Sequence, residues 1–212
     1  MLVSRQESDG AAEVERGPRA RTRRLMLDTA SRLMQSGATP SVSEVAEAAG
    51  VSRATAYRYF PSQAALVQAV VDEGLGPILE WRSDATDPRQ RVSELFETAM
   101  PRIEAFEATF KAALKLSLEQ WAKRQAGTLG GEPPLTRGHR VELLQDALAP
   151  LKGVLKRRAF DRLAQALSLV FGVEVLIVLK DIWGLDSADT LAVAQWAARS
   201  LVDAAIAEEE EG

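Results

Sequence analysis

Residues 39–66 place apolar side chains at helical intervals, in runs that are separated by Gly50 and Pro61. The first run gives one buried face of a short helix, made of Val42, Val45, Ala46 and Ala49. Ser41 or Ser43 can cap that helix, and Gly50 suits the tight turn that follows it. The pattern predicts a helical hairpin, with a third helix starting after Pro61.

The second helix of the hairpin, from Ser52 to Tyr59, has the composition of a helix that reads DNA. It holds two Arg, two Tyr, one Thr and one Ser in eight residues, and no acid. Arg can bind guanine edges through two hydrogen bonds, Ser and Thr can reach bases or phosphates, and Tyr hydroxyls can hold phosphates. Arg53, Thr55 and Arg58 are the expected base contacts. The alternative is a solvated hairpin with ordinary surface arginines.

An amphipathic helix over residues 19–37 precedes the hairpin and begins with four arginines, Arg19, Arg21, Arg23 and Arg24. Basic side chains at a helix N-terminus oppose the helix dipole, so their placement favours a phosphate partner. Residues 16–60 contain eight Arg and three acids, a net charge of +5, whereas the whole chain is −4. This asymmetry is typical of a nucleic-acid-binding module on an acidic body.

The chain resembles the N-terminal domain of the TetR family of one-component repressors over about residues 19–70. The matching positions are Met26, Leu27, Ala30, Leu33, Met34 and Gly37, followed by Val42, Glu44 to Ala46, Ala49 to Ser52, Thr55 to Phe60, and Leu66. In one departure, Gln63 occupies a position where the family usually has a Lys that contacts phosphate. We expect a slightly weaker electrostatic contribution to binding at that position.

The residues expected at the DNA interface come from all four N-terminal helices. They are Arg21, Thr22, Arg23, Ser41, Ser52, Arg53, Thr55, Tyr57, Arg58, Tyr59 and Gln63.

Strand patterns are nearly absent from the remaining chain, so we predict an all-α protein of about nine helices. The predicted divisions are a disordered tail over 1–17, a helix–turn–helix DNA-binding domain over 18–66, a ligand-binding and dimerisation domain over 67–207, and an acidic tail over 208–212 that is also disordered.

Amphipathic patterns in the C-terminal part predict helices over 88–107, 108–126 and 139–149, with a loop between the last two. Residues 156–182 are apolar nearly all round, which predicts one helix buried on all sides. Ser187 is the expected cap of a last helix that is rich in small residues.

Two sets of side chains in these helices are candidates for binding. The ligand candidates are Phe96, Met100, Phe106, Phe110, Leu114, Trp121 and Glu174. For the apolar members plain core packing is the favoured role, because apolar stripes on helices usually form the core. Glu174 is costly in so apolar a helix unless it is paired, so it either anchors a ligand or pairs with an Arg at a dimer seam.

The family resemblance implies that the last two long helices form a four-helix bundle with a second copy of the chain. On that basis we predict a homodimer, with a pseudo-palindromic operator to match its twofold symmetry. The expected interface residues are Leu163, Leu167, Val170, Phe171, Val178, Leu191, Trp196 and Leu201.

Composition excludes several other kinds of site. There is no Cys, and His139 is the single His, so we expect no cofactor and no metal site. The sequence has no phosphate loop, nucleophile elbow or paired acids beside a His, which argues against an enzyme. No signal or membrane segment is evident, so the protein is expected in the cytoplasm, away from membranes.

The predicted function is therefore sequence-specific DNA binding for transcriptional regulation. The resemblance implies a repressor whose partners are double-stranded operator DNA, a second copy of itself and a small, apolar effector that is not identified. The alternative is a helical protein-interaction module that has lost DNA binding, and Gln63 is the only hint of it in the sequence.

Overall fold

A computed structural model describes residues 17–135 and 138–211 of the 212-residue chain. They form ten α-helices: α1 Pro18–Gln35, α2 Val42–Ala48, α3 Arg53–Tyr59, α4 Gln63–Leu75, α5 Pro88–Ala105, α6 Glu107–Gln125, α7 His139–Ala147, α8 Arg157–Leu167, α9 Val173–Leu176 and α10 Ser187–Glu211. Short 3₁₀ turns follow α4 and α7, and a π-helical turn, Ile177–Ile182, continues α9. The described residues contain no strand, which confirms the all-α prediction.

Helices α1 to α4 form a head whose core is filled by Met26, Met34, Val45, Leu66 and other apolar side chains. Three serines set the starts of the last three of these helices. Ser41 caps α2, Ser52 caps α3 and Ser62 caps α4, each by accepting a hydrogen bond from a backbone N–H three residues on. The predicted domain boundary at residue 66 falls inside α4, whose Val67 and Val70 belong to the head core.

Helices α5 and α7 to α10 pack into a second core, the body, around Phe96 and Leu144. Helix α6 joins the body to the head, because its Ala112, Ala113 and Leu116 are part of the head core. The small alanines let α6 approach α1 and α4 closely. Buried Gln120 holds the loop after α6, donating to the Pro133 carbonyl at 3.2 Å and accepting from the Leu135 N–H at 2.9 Å.

The single buried helix predicted over 156–182 is wrong. The chain is broken between α8 and α9, where Gly172 adopts a φ of +113°, and this break brings the helix count to ten. Several side chains around the break are exposed, among them Leu169, Val178, Ile182 and Trp183. The apolar composition of this stretch therefore reflects an exposed apolar surface as well as a buried face.

Two smaller predictions about the last helix are also wrong. Asp186 caps α10 in place of Ser187, because its carboxylate accepts from the Asp189 N–H at 2.9 Å. Residues 208–211 are helical, and Glu208 and Glu209 pair with Arg162 and Lys156 of the body. The predicted N-terminal tail, 1–17, lies outside the described residues except for Gly17.

Candidate DNA interface and ligand cavity

Helix α3 presents its polar side chains from a start that hydrogen bonds hold in place. The Ser52 hydroxyl accepts from the Thr55 N–H at 3.3 Å and donates to the Thr55 hydroxyl oxygen at 2.9 Å. The Tyr57 hydroxyl lies 3.3 Å from that of Ser43 on α2, a contact that the sequence did not predict. The two hairpin helices are thus tied together at the surface, while Arg53 and Arg58 remain exposed.

The arginines of the head differ in whether another protein group already neutralises them. Arg24 is paired with Asp28 at 3.0 Å and with Glu73 at 2.5 Å. Arg21, Arg53 and Arg58 form no ion pair with any described residue. The Arg23 guanidinium lies 5.6 Å from the Phe60 ring centre, which joins the start of α1 to the end of α3.

The other predicted contacts are divided between surface and structural roles. The Thr22 hydroxyl donates to the Pro18 carbonyl at 3.0 Å within α1. Tyr59 is half-buried against the head core, with the Arg58 guanidinium 5.8 Å from its ring centre. The Gln63 side chain donates to the Thr39 carbonyl at 2.7 Å, so its amide joins α4 to the loop before α2.

The body, α4 and α6 line a half-open cavity of about 90 Å³ next to the head. Its lining is apolar except for two side chains from the start of α7, and comprises Val71, Leu75, Ile78, Ile103, Phe110, Ala113, Leu135, His139, Arg140, Leu143, Phe171, Gly172 and Val173. Val71 and Ala113 connect the cavity wall to the head, because both also contact the head core.

Among the predicted ligand residues, Phe110 lines this cavity and the others lie elsewhere. Phe96 and Met100 are buried in the body core, where the Phe96 ring lies 5.1 Å from that of Phe171. Phe106 lies under the Arg102 guanidinium, at 4.9 Å. Leu114 is half-buried and Trp121 is exposed, because α6 buries the neighbouring stripe of Thr109, Ala112, Leu116 and Gln120. Spacing alone cannot distinguish two stripes that differ by one residue.

The polar end of the cavity consists of residues that sequence reasoning assigned to other roles or missed. His139 lines the cavity, and its Nε2 lies 2.8 Å from the Asp72 carboxylate on α4. Arg140 pairs with Glu174 at 2.6 Å and donates to the Ser168 carbonyl at 3.2 Å. Glu174 therefore pairs with an arginine of its own subunit. Nothing in a single sequence brings His139 and Asp72 together, since they are 67 residues apart.

The predicted dimer residues fall into three groups. Leu163, Leu167 and Phe171 are buried in the core of their own subunit, and Val170, Leu191 and Leu201 are half-buried against it. Val178 and Trp196 are exposed. The exposed members lie on the π-helical turn and on α10.

Comparison with known proteins shows that the head is similar in sequence to a family of regulators. Residues 26–70 match the family described as bacterial regulatory proteins, tetR family. Over 57 residues the chain is 40% identical to the HTH-type transcriptional repressor LfrR of Mycolicibacterium smegmatis (strain ATCC 700084 / mc(2)155). That alignment covers 27% of this chain and 30% of LfrR, so it spans less than a third of the relative.

The fold likeness extends further than the sequence likeness. The crystal structure of a TetR transcriptional regulator from Rhodococcus sp. RHA1 superposes with a TM-score of 0.55, covering 88% of this chain and 97% of that one at 20% identity. The head and body together thus have the fold of a TetR-type regulator. The match to the family model is confined to the head, and the likeness of the whole chain to that regulator is a likeness of fold. No helix of the described residues is both long and apolar enough to cross a membrane.

Proposed function

We propose that this protein is a homodimeric transcriptional repressor that binds a pseudo-palindromic operator and is released from it by a small molecule. The observation that carries the proposal is the exposed face of α3, where Arg53 and Arg58 have no acidic partner among the described residues. Uncommitted guanidinium groups beside a capped helix start are suited to guanine edges and phosphates. The match of residues 26–70 to regulatory proteins supports the same function.

The test is binding of the full chain to duplex DNA from the region upstream of its own gene, at low salt. The double variant Arg53→Ala with Arg58→Ala should weaken binding by about 5- to 150-fold for each arginine, because a base-contacting Arg contributes roughly 1–3 kcal/mol. Circular dichroism would check that the variant is folded.

Arg158→Ala is the matched control, since Arg158 is exposed on α8 and has no ion pair with a described residue. If the control weakens DNA binding as much as the double variant does, the interaction is general charge attraction and does not depend on α3 in particular. Failure of the wild-type chain to bind any duplex would refute the proposal.

Release by a ligand is supported by how the cavity is built. Val71 and Leu75 of α4 form one part of its wall, and Phe110 and Ala113 of α6 form another. Both helices also pack in the head core, so a molecule that separates them would reposition the head. Such a molecule regulates binding only if its affinity differs between the DNA-competent and DNA-incompetent arrangements.

Dimerisation is supported by the apolar side chains that the subunit leaves uncovered. Leu169, Val178, Ile182, Trp183 and Trp196 are all exposed on the segment from 169 to α10. Large apolar side chains that are exposed along one stretch of the chain favour a protein contact there. The buried predictions Leu163, Leu167 and Phe171 are replaced in the proposed interface by these exposed residues.

The alternative is a protein-interaction module without DNA binding, and Gln63 was the only feature of the sequence that suggested it. Gln63 suggested it because a neutral amide stands where the family usually has Lys. Its hydrogen bond to Thr39 gives Gln63 a role in joining α4 to the rest of the head, which accounts for an amide at this position.

A further inference from the structure

The cavity has an asymmetric lining that restricts the chemistry of its occupant. Apolar side chains form most of its wall, and His139 and Arg140 form its polar end. No Asp or Glu is among its described lining residues. A cationic ligand would thus find no partner in the wall, and burying an unpaired charge is costly.

The proton of His139 can be located from its contact with Asp72. His139 Nε2 lies 2.8 Å from Asp72 Oδ1 and 3.3 Å from Gln68 Nε2. Because a carboxylate oxygen only accepts, we assign the proton of a neutral imidazole to Nε2, which then donates to Asp72. In the neutral imidazole, Nδ1 is then an acceptor, and it has no hydrogen bond to a described residue. Gln68 also donates to Asp72 Oδ1, at 2.7 Å, and its own buried Oε1 has no partner within the described part of the chain. The His139 cluster therefore has unused acceptors.

Arg140 contributes donors beside this acceptor. Described residues engage two of its N–H groups, through Glu174 at 2.6 Å and the Ser168 carbonyl at 3.2 Å. A guanidinium has five N–H donors, so others remain for a ligand. Because Glu174 already balances the charge of Arg140, an anionic ligand would have to compete with that carboxylate.

The volume limits the size of the ligand. A water needs about 10–15 Å³ of a cavity measured in this way, so the 90 Å³ available here accommodates roughly six waters. This is the space of a molecule with a single ring and a small substituent.

We propose that the effector is a neutral single-ring molecule with one hydroxyl group, a phenol or an aromatic alcohol. A hydroxyl is the group that both accepts, here from Arg140, and donates, here to His139 Nδ1. The ring would occupy the apolar part of the cavity, against Phe110 and Val71. This inference rests on the proposed function, in which the cavity is the effector site.

The test is calorimetric titration of the full chain with four probes of matched size: p-cresol, p-xylene, 4-methylanisole and 4-methylbenzoate. A phenol is neutral at pH 7, since its ordinary pKa is near 10. We expect p-cresol to bind at least about tenfold more tightly than p-xylene, which lacks both hydrogen bonds. 4-Methylanisole, which can only accept, should fall between them. Binding of p-xylene or 4-methylbenzoate as tight as that of p-cresol would overturn the proposal.

A variant at His139 tests the hydrogen-bond acceptor separately from the apolar wall of the cavity. His139→Phe should reduce p-cresol binding to the level of 4-methylanisole, because the hydrogen bond from Arg140 remains, and p-cresol should then no longer bind more tightly than 4-methylanisole. Glu142→Gln, an exposed neighbour on α7, is the control and should change neither. If His139→Phe does not fold, the probe ranking on the wild-type chain decides the question by itself.

Operator binding without any probe distinguishes the two proposals. A chain that binds its operator but prefers p-xylene refutes the hydroxyl ligand and leaves the repressor function intact. A chain that binds no duplex refutes the repressor function, whatever the probe ranking.

Discussion

Ser41 and Glu44 form a reciprocal pair at the start of α2, the helix that supports the candidate recognition helix. The Ser41 hydroxyl accepts from the Glu44 N–H at 3.2 Å, and the Glu44 carboxylate accepts from the Ser41 N–H at 2.7 Å. This is a capping box, which satisfies two backbone donors at once. The backbone N–H of Ser41, and then its hydroxyl, lower the pKa of Glu44 below its ordinary value.

Replacing Glu44 by Ala should therefore have a pH-dependent effect on stability. A lowered pKa in the folded state stabilises the protein above the ordinary pKa of the carboxyl, and this contribution is lost as the pH falls through the lowered value. The variant should lose about 0.3–1 kcal/mol of unfolding free energy at neutral pH. The difference should shrink towards about pH 3 in urea titrations. Glu47→Ala is the control on the same helix, and a difference independent of pH would contradict the argument.

Gly172 is a second residue with a specific conformational task, because it turns the chain between α8 and α9. Its φ of +113° is rarely adopted by other residues, and a Cβ there would lie 2.9 Å from Arg140 Nη2 and 3.2 Å from Glu174 Oε2. An alanine would thus strain the backbone and displace the ion pair at the polar end of the cavity.

We expect Gly172→Ala to lower the unfolding free energy by about 1–3 kcal/mol. Gly131→Ala is the matched control, since a methyl group at that position would have no neighbouring atom within 4 Å and the backbone there is not left-handed. The control should change stability by less than about 0.5 kcal/mol. Denaturant midpoints measure both, and equal effects would show that Gly172 has no special role.

At the scale of elements, α4 is the helix that links head, cavity and body. Its N-terminus is capped by Ser62, and its C-terminus is held by Arg102 of α5. The Arg102 guanidinium donates to the carbonyls of Gly74 at 2.7 Å, Leu75 at 3.0 Å and Glu73 at 3.2 Å. These carbonyls would otherwise end the helix unsatisfied. One side chain of the body thus satisfies the last carbonyls of α4.

The variant Arg102→Lys tests how much these hydrogen bonds contribute to the free energy of unfolding. Lysine keeps the charge but cannot reproduce the planar fork or its packing on Phe106, so we expect a loss of about 1–3 kcal/mol in unfolding free energy. Arg82→Lys, an exposed arginine before α5, serves as the control. Urea unfolding measures the effect, and an unchanged midpoint in Arg102→Lys would show that α4 is held by packing alone.

At the scale of the whole molecule, two exposed tryptophans lie on different helices. Trp196 of α10 is 66% exposed and belongs to the proposed dimer face, whereas Trp121 of α6 is 59% exposed and lies outside it. Their similar exposure makes them a matched pair. A charge placed at a dimer seam must be desolvated, whereas the same charge on a free surface costs little.

The Trp196→Glu variant should be shifted from dimer towards monomer relative to the wild-type chain. The Trp121→Glu variant should remain dimeric. The wild-type mass in solution should be twice the 23.0 kDa of one chain. Sedimentation equilibrium at micromolar concentration measures all three proteins. A monomeric wild-type chain would refute the proposed dimer. If both variants are monomeric, the experiment does not support an interface at Trp196 in particular.

Local patterns in the sequence were sufficient for the head. The caps Ser41, Ser52 and Ser62 act within three residues of themselves, and the buried positions of α1 to α3 follow a short helical period. Such features depend on nearest neighbours along the chain, so one sequence is enough to predict them. The same applies to the all-α class and to the charge asymmetry of residues 16–60.

The tertiary structure decided what depends on distant parts of the chain. It selected which of two adjacent stripes α6 buries, broke the apolar stretch over 156–182 at Gly172, and gave Gln63 a partner in Thr39. It also brought His139 beside Asp72 and Arg140 beside Glu174 to form the polar end of the cavity. Apolar spacing predicts that a helix has a buried face, but only the packing partners determine which residues meet, because contacts across the core carry no periodic signal in the sequence.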